Sequence, residues 1–185
     1  MRHRLWLVVA GLWLATPSPR LALASATLIG NIEELAQTAD EIVVGRVVSA
    51  EPQVRGGKII TRVGLDVTRA VAGQSRLGDR LEVLIPGGQV GHVGMLVPGA
   101  PRLHLGDEYL LFLADGAPSY GVIGLAHGAL LIQETLAATG PVARAAQDLP
   151  CLWRRSSSGR AALAAGDVIP LDLLLRQIDE ARHGL

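Results

Sequence analysis

The chain has 185 residues, with 17 Lys and Arg against 17 Asp and Glu, 49% hydrophobic residues and only 3% aromatic ones. This balance supplies no basic face for nucleic-acid phosphates, and the few rings give little to stack on bases or sugars. Cys151 is the single cysteine, which excludes an intrachain disulfide and leaves stability to apolar packing.

Residues 1–24 read as an export signal. Arg2, His3 and Arg4 form a basic head, Leu5 to Ala15 an apolar run, and Thr16-Pro17-Ser18-Pro19-Arg20 a break before Ala22-Leu23-Ala24. The apolar run is 11 residues long, short of the ~20 that span a bilayer. Cleavage is expected after Ala24, giving a mature chain that begins at Ser25 and works in the periplasm or as a secreted protein. Residues 25–185 carry 14 of the cationic and all 17 acidic residues, a formal charge of −3. No apolar segment there is long enough to cross a membrane, so no stable membrane insertion is expected after cleavage.

Asn31 to Ala39 predicts a short helix, with Asn31 as N-cap and Glu33 and Glu34 at the positive end of its dipole. Glu41 to Ala50 is Val- and Ile-rich on both parities, the pattern of a strand covered on two faces, and Gly45 marks a bulge or bend. After the turn Arg55-Gly56-Gly57-Lys58, the stretch Ile59 to Val71 alternates, with Thr61, Val63, Leu65 and Val67 on one face. Leu81, Val83 and Ile85 alternate again up to Pro86-Gly87-Gly88. Gly87 to Gly106 reads as a 20-residue connection with little periodicity, a length that is uncommon unless functional. Glu108 to Ala114, Tyr120 to Leu125 and Ala129 to Ile132 predict three further strands.

Ala137 to Ala165 is rich in Ala, Ser and Arg and weakly periodic. Leu171, Leu174, Leu175 and Ile178 then define an amphipathic helix over 171–183, with Pro170 before it and Gly184 after it. The expected domains are a barrel over 25–135 and a partly flexible extension over 136–185. The predicted fold is mainly β: a small OB-like Greek-key barrel of five to six strands with a short N-terminal and a C-terminal helix. A β-sandwich is the alternative.

Four segments, together with the long second strand, carry a resemblance. They are Ala39-Asp40-Glu41-Ile42-Val43-Val44-Gly45-Arg46-Val47; Pro86-Gly87-Gly88 followed by Gly99-Ala100-Pro101; and Gly106-Asp107-Glu108-Tyr109-Leu110-Leu111-Phe112-Leu113. In these the chain resembles, over about residues 30–132, a largely uncharacterised family of exported bacterial β-barrel proteins. Its strand order is more remotely similar to the netrin-like OB module of the tissue inhibitors of metalloproteinases. The resemblance implies an extracytoplasmic protein partner, with a protease as one candidate. Those inhibitors bind the protease zinc through an N-terminal Cys fixed by disulfides, whereas the expected first residue here is Ser25 and no disulfide is available.

Catalytic groups do not assemble in the sequence. His92 and His104, with Asp107 beside them, are the residues a metal-dependent hydrolase would use, but they are 12 positions apart and no His-x-x-x-His pair aims two rings at one ion. His127 reads as lying at a strand end. Ser119 sits between two predicted strands rather than in the strand–turn–helix of a nucleophile elbow. Gly88, Gly91 and Gly94 precede no helix that would receive phosphate. Cys151, beside Leu152 and Trp153, reads as a buried small hydrophobe, with an intermolecular disulfide as the sharper alternative.

The expected function is therefore an exported, non-enzymatic protein-binding module that uses no cofactor and no metal. Ser25 and the apolar loop residues Met95, Leu96 and Val97 are its partner-binding candidates. The alternatives are a metal-dependent hydrolase through His92, His104 and Asp107, and a structural envelope component.

Overall fold

The structure, a computed structural model, is described over residues 32–116, 118–135, 140–146 and 168–184. The expected signal segment, Ser25 and Cys151 lie outside these residues. The described chain is mainly β. Its ten strands are β1 (Glu41–Arg55), β2 (Lys58–Ala72), β3 (Arg80–Pro86), β4 (Gly88–Val90), β5 (Val93–Met95), β6 (Glu108–Gly116), β7 (Ser119–Val122), β8 (Ala129–Gln133), β9 (Val142–Ala145) and β10 (Val168–Pro170). Two helices, α1 (Ile32–Thr38) and α2 (Leu171–His183), stand at either end of this order.

Eight strands form one sheet in the order β1-β2-β3-β7-β6-β8-β9-β10, while β4 and β5 make a separate hairpin. β1 and β2 pair antiparallel along nearly their whole length, from Ile42–Ala72 to Arg55–Lys58. The register slips next to Gly45. A Cβ there would stand 2.6 Å from Leu65 Cγ, so this glycine lets the two strands close on each other.

β6 is the hub. One edge pairs with β1, from Glu41–Leu113 to Arg46–Glu108. Its other edge pairs first with β8 (Glu108–Ile132 to Leu111–Ala129) and then with β7 (Leu113–Val122 to Gly116–Ser119). β7 in turn runs parallel to β3 at Val83–Tyr120 and Leu84–Gly121. The pairings β1-β2-β3-β7-β6 thus return to β1.

Alternation divides the apolar residues of β1 and β6 between two clusters, which is why both strands read as apolar on both parities. Val43, Val47, Tyr109, Leu111 and Leu113 join Val63, Leu65, Val67 and Val83 in the interior cluster. Ile42, Val44, Leu110 and Phe112 face the other way, under Leu35 and Ala36 of α1 and Leu174 and Ile178 of α2.

Arg182, near the end of α2, donates through Nη1 to the carbonyls of Ala36 and Ala39, both at 2.9 Å. A guanidinium there satisfies carbonyls that a helix C-terminus leaves without partners. β9 and β10, which the sequence pattern does not announce, extend the same sheet, and Leu171 N is bonded to Pro141 O at 2.9 Å. No helix among the described residues is long and apolar enough to cross a membrane.

Among the described residues Glu41 is one of two buried polar or charged residues outside the hydrophobic set, at 5% exposure. Its carboxylate accepts the backbone N–H groups of Gln74 (2.6 Å) and Ser75 (3.1 Å), and so fastens the β2–β3 connection to the start of β1. The other is Ser119, which opens β7 opposite Gly116 in the hairpin that the sequence predicts.

Candidate functional site

The stretch Gly87 to Gly106 is tied down at several points rather than left free. Gly87 N donates to Ile59 O at 2.9 Å, and Thr61 Oγ1 donates to Gly87 O at 2.8 Å. Gly88 holds a φ of 133°, and a Cβ on it would stand 2.5 Å from Thr61 Oγ1, so a larger residue is excluded by both backbone and neighbour.

Midway along the stretch, Ala126 N donates to Gly99 O at 2.8 Å. Ala126 belongs to a short 3₁₀ turn, Leu125–Gly128, in which Leu125 takes the left-handed φ of 56°. For a leucine this conformation is strained. At the far end, Gly106 N donates to Val47 O and Val47 N to Asp107 O, both at 2.9 Å.

Tyr109 organises the last part of this stretch. It is 1% exposed and belongs to the interior cluster. Its hydroxyl accepts His104 N at 3.1 Å and donates to Asp107 Oδ2 at 3.2 Å. Burial pushes the phenol up from its ordinary pKa and the adjacent Asp107 carboxylate adds to that, against an opposing pull from the His104 N–H.

Between these ties lies an open cleft of about 610 Å³. Its walls are residues 87–89, 94–97 and 100–104, together with Thr61, Val63, Ile85 and Pro86. Val63 and Ile85 are 1% and 6% exposed and belong to the interior cluster, against which Ala100 and Leu103 also pack. Leu96 is 76% exposed. The cleft therefore runs from a solvent-facing apolar residue down to the core. Its volume lies in the range of ligand and peptide pockets.

Met95, Leu96 and Val97, the loop candidates of the sequence, all line the cleft. His104 lines it as well, while His92 is exposed in the β4–β5 turn and Asp107 is engaged by Tyr109. No group of three His, Cys, Asp or Glu side chains that could hold a metal occurs among the described residues. His127 lies in the 3₁₀ turn just before β8, with Nδ1 3.2 Å from Gly124 O.

Two features are absent from the sequence reading. The β4–β5 hairpin within the long connection is masked because three of its eight residues, 88–95, are glycines, which breaks any apolar alternation. The anchoring role of Tyr109 is hidden inside an apolar run, where a tyrosine reads as core. No family model, curated protein or solved structure matches the chain.

Proposed function

We propose that this chain is an exported, non-enzymatic binding module of OB-like architecture. In this reading it holds a segment of another extracytoplasmic protein in the cleft beneath residues 87–106. The OB-like reading is supported by the return of the strand pairings to β1 and by the parallel β3–β7 pairing. Export rests on the basic head, apolar run and Ala-x-Ala of residues 1–24.

The observation that carries the binding reading is the descent of the cleft from exposed Leu96 to buried Val63 and Ile85. An apolar side chain from a partner gains transfer free energy there, and the walls around it are already held in place. Val93 and Leu105, 66% and 69% exposed, add apolar surface on the same stretch of chain. A protease remains the partner class that the resemblance implies.

The test is capture from native envelope and culture supernatant with residues 25–185, followed by mass spectrometry, in parallel with Gly94→Trp. Gly94 lines the cleft, and a Cβ there meets only Gly88 O, at 3.8 Å, so a side chain is added at the wall without a clash at its root. A specific extracytoplasmic protein captured by the parent and lost with Gly94→Trp is the expected result. Equal capture by both refutes the site.

A further inference from the structure

We infer that the cleft receives the C-terminal end of its partner chain, with an apolar last side chain on Val63 and Ile85 and the free α-carboxylate at Arg102 and His104. This deepens the binding reading above and rests on it. The lining contains no Asp or Glu; its chargeable groups are Arg102 and His104.

The other polar side chains of the lining are already engaged within the chain. Thr61 Oγ1 donates to Gly87 O at 2.8 Å, and Gln89 Nε2 donates to Gly91 O at 3.0 Å. Among the described residues neither the Arg102 guanidinium nor the His104 ring has a hydrogen-bond or ion-pair partner, in contrast to Arg62 with Glu51 and Arg80 with Asp66. Leu103 between them packs on the interior cluster and anchors the backbone that carries both. A planar guanidinium on a fixed backbone suits a carboxylate, which it can bind through two parallel N–H groups.

The occupant follows from having this cationic rim next to an apolar floor. An internal Asp or Glu brings a carboxylate without an apolar side chain. A C-terminal Leu, Val, Ile or Phe carries both on one Cα. The walls also include backbone of β4 and β5, a hairpin only two strands wide among the described residues. Such a hairpin keeps backbone groups that an extended peptide can meet and a hydrocarbon chain cannot.

The experiment is fluorescence anisotropy on the purified chain with dye-labelled hexapeptide pools ending in Leu, Val, Ile or Phe, made as free acids and as C-terminal amides. The free-acid pool is expected to bind and the amide pool to bind about tenfold more weakly. Arg102→Gln should bring the two pools within about twofold of each other, while Arg102→Lys restores part of the gap. Gly94→Trp should remove binding of both pools.

Equal binding of acid and amide by the parent overturns the inference. So does octanoate occupying the cleft when no peptide does. If neither pool binds while Gly94→Trp still abolishes partner capture, the inference fails and the binding reading stands. If neither pool binds and capture survives Gly94→Trp, both fail.

Discussion

The two sides of the β1–β6 pair are finished in opposite ways. On one side the strands bury Ile42, Val44, Leu110 and Phe112 under two helices, sealed by the Arg182 hydrogen bonds to α1. On the other, the interior cluster is roofed at its β3 end by an irregular, glycine-rich stretch that leaves a cleft of about 610 Å³ above Val63 and Ile85. Helices cover an apolar face completely because their side chains interlock with it. A segment held by a few backbone hydrogen bonds covers it only in part. The sealed side supplies stability, and under the proposed reading the open one is where a partner would gain binding energy.

The sharpest way to break this contrast is to substitute one residue on each side. Phe112→Ala removes a fully buried ring from under the helices, with an expected loss of about 3–5 kcal/mol in denaturant unfolding. Leu96→Asp, on the cleft rim, should stay within about 0.5 kcal/mol of the parent while abolishing partner capture. A large stability loss from Leu96→Asp would show that the rim is structural and would erase the distinction.

Arg182→Met probes the seal itself. It keeps most of the apolar stem and deletes both hydrogen bonds to α1, for an expected loss of about 1–2 kcal/mol with cleft binding unchanged at temperatures where the chain remains folded. Unfolding monitored by circular dichroism reads the first quantity and peptide anisotropy the second.

The smallest effect is spectroscopic. The chain has two tyrosines, and both phenols are pushed above their ordinary pKa. For Tyr109 the chief cause is burial; for Tyr120 it is also burial, with the Glu41 and Asp115 carboxylates adding to it. Absorbance titration of the native protein should therefore show phenolate formation displaced above the ordinary value of about 10, and returning to it in denaturant. Above that pH the unfolded chain releases phenolic protons that the folded chain retains, so stability falls as pH rises through the window and is unaffected below it. With Tyr120→Phe in place, a native step at the ordinary value would mean that Tyr109 is not buried beside Asp107 as described.

Much of this molecule is legible in its sequence, for physical reasons that differ by region. The alternation of Val63, Leu65 and Val67 exposes β2 because one face is core and the other solvent. The apolar runs 42–44 of β1 and 109–113 of β6 mark stretches with both faces buried. Leu171, Leu174 and Ile178 outline α2 because only one stripe of that helix meets the sheet.

What stays hidden is short or borrowed. β9 and β10, of four and three residues, draw their order from β8 and from each other. The expected strand Tyr120 to Leu125 ends at Val122, because Gly124 and Leu125 both turn left-handed into the 3₁₀ segment. At the cleft, Met95, Leu96 and Val97 stand out as apolar residues in a loop. Arg102 does not, since a lone arginine gains meaning only from the lining around it.

The contact between α1 and α2 also dictates when this protein can finish folding. The β1–β2 hairpin is local and can form early, but Ile32, Leu35 and Ala36, which also pack on Ile42, Val44, Leu110 and Phe112, gain the rest of their cover only from the distant Leu174 and Ile178. A chain that emerges N-terminus first thus carries a partly covered apolar helix until α2 is available. Removal of α2 would therefore bare the side of α1 that Leu174 and Ile178 cover and favour aggregation or proteolysis of the product.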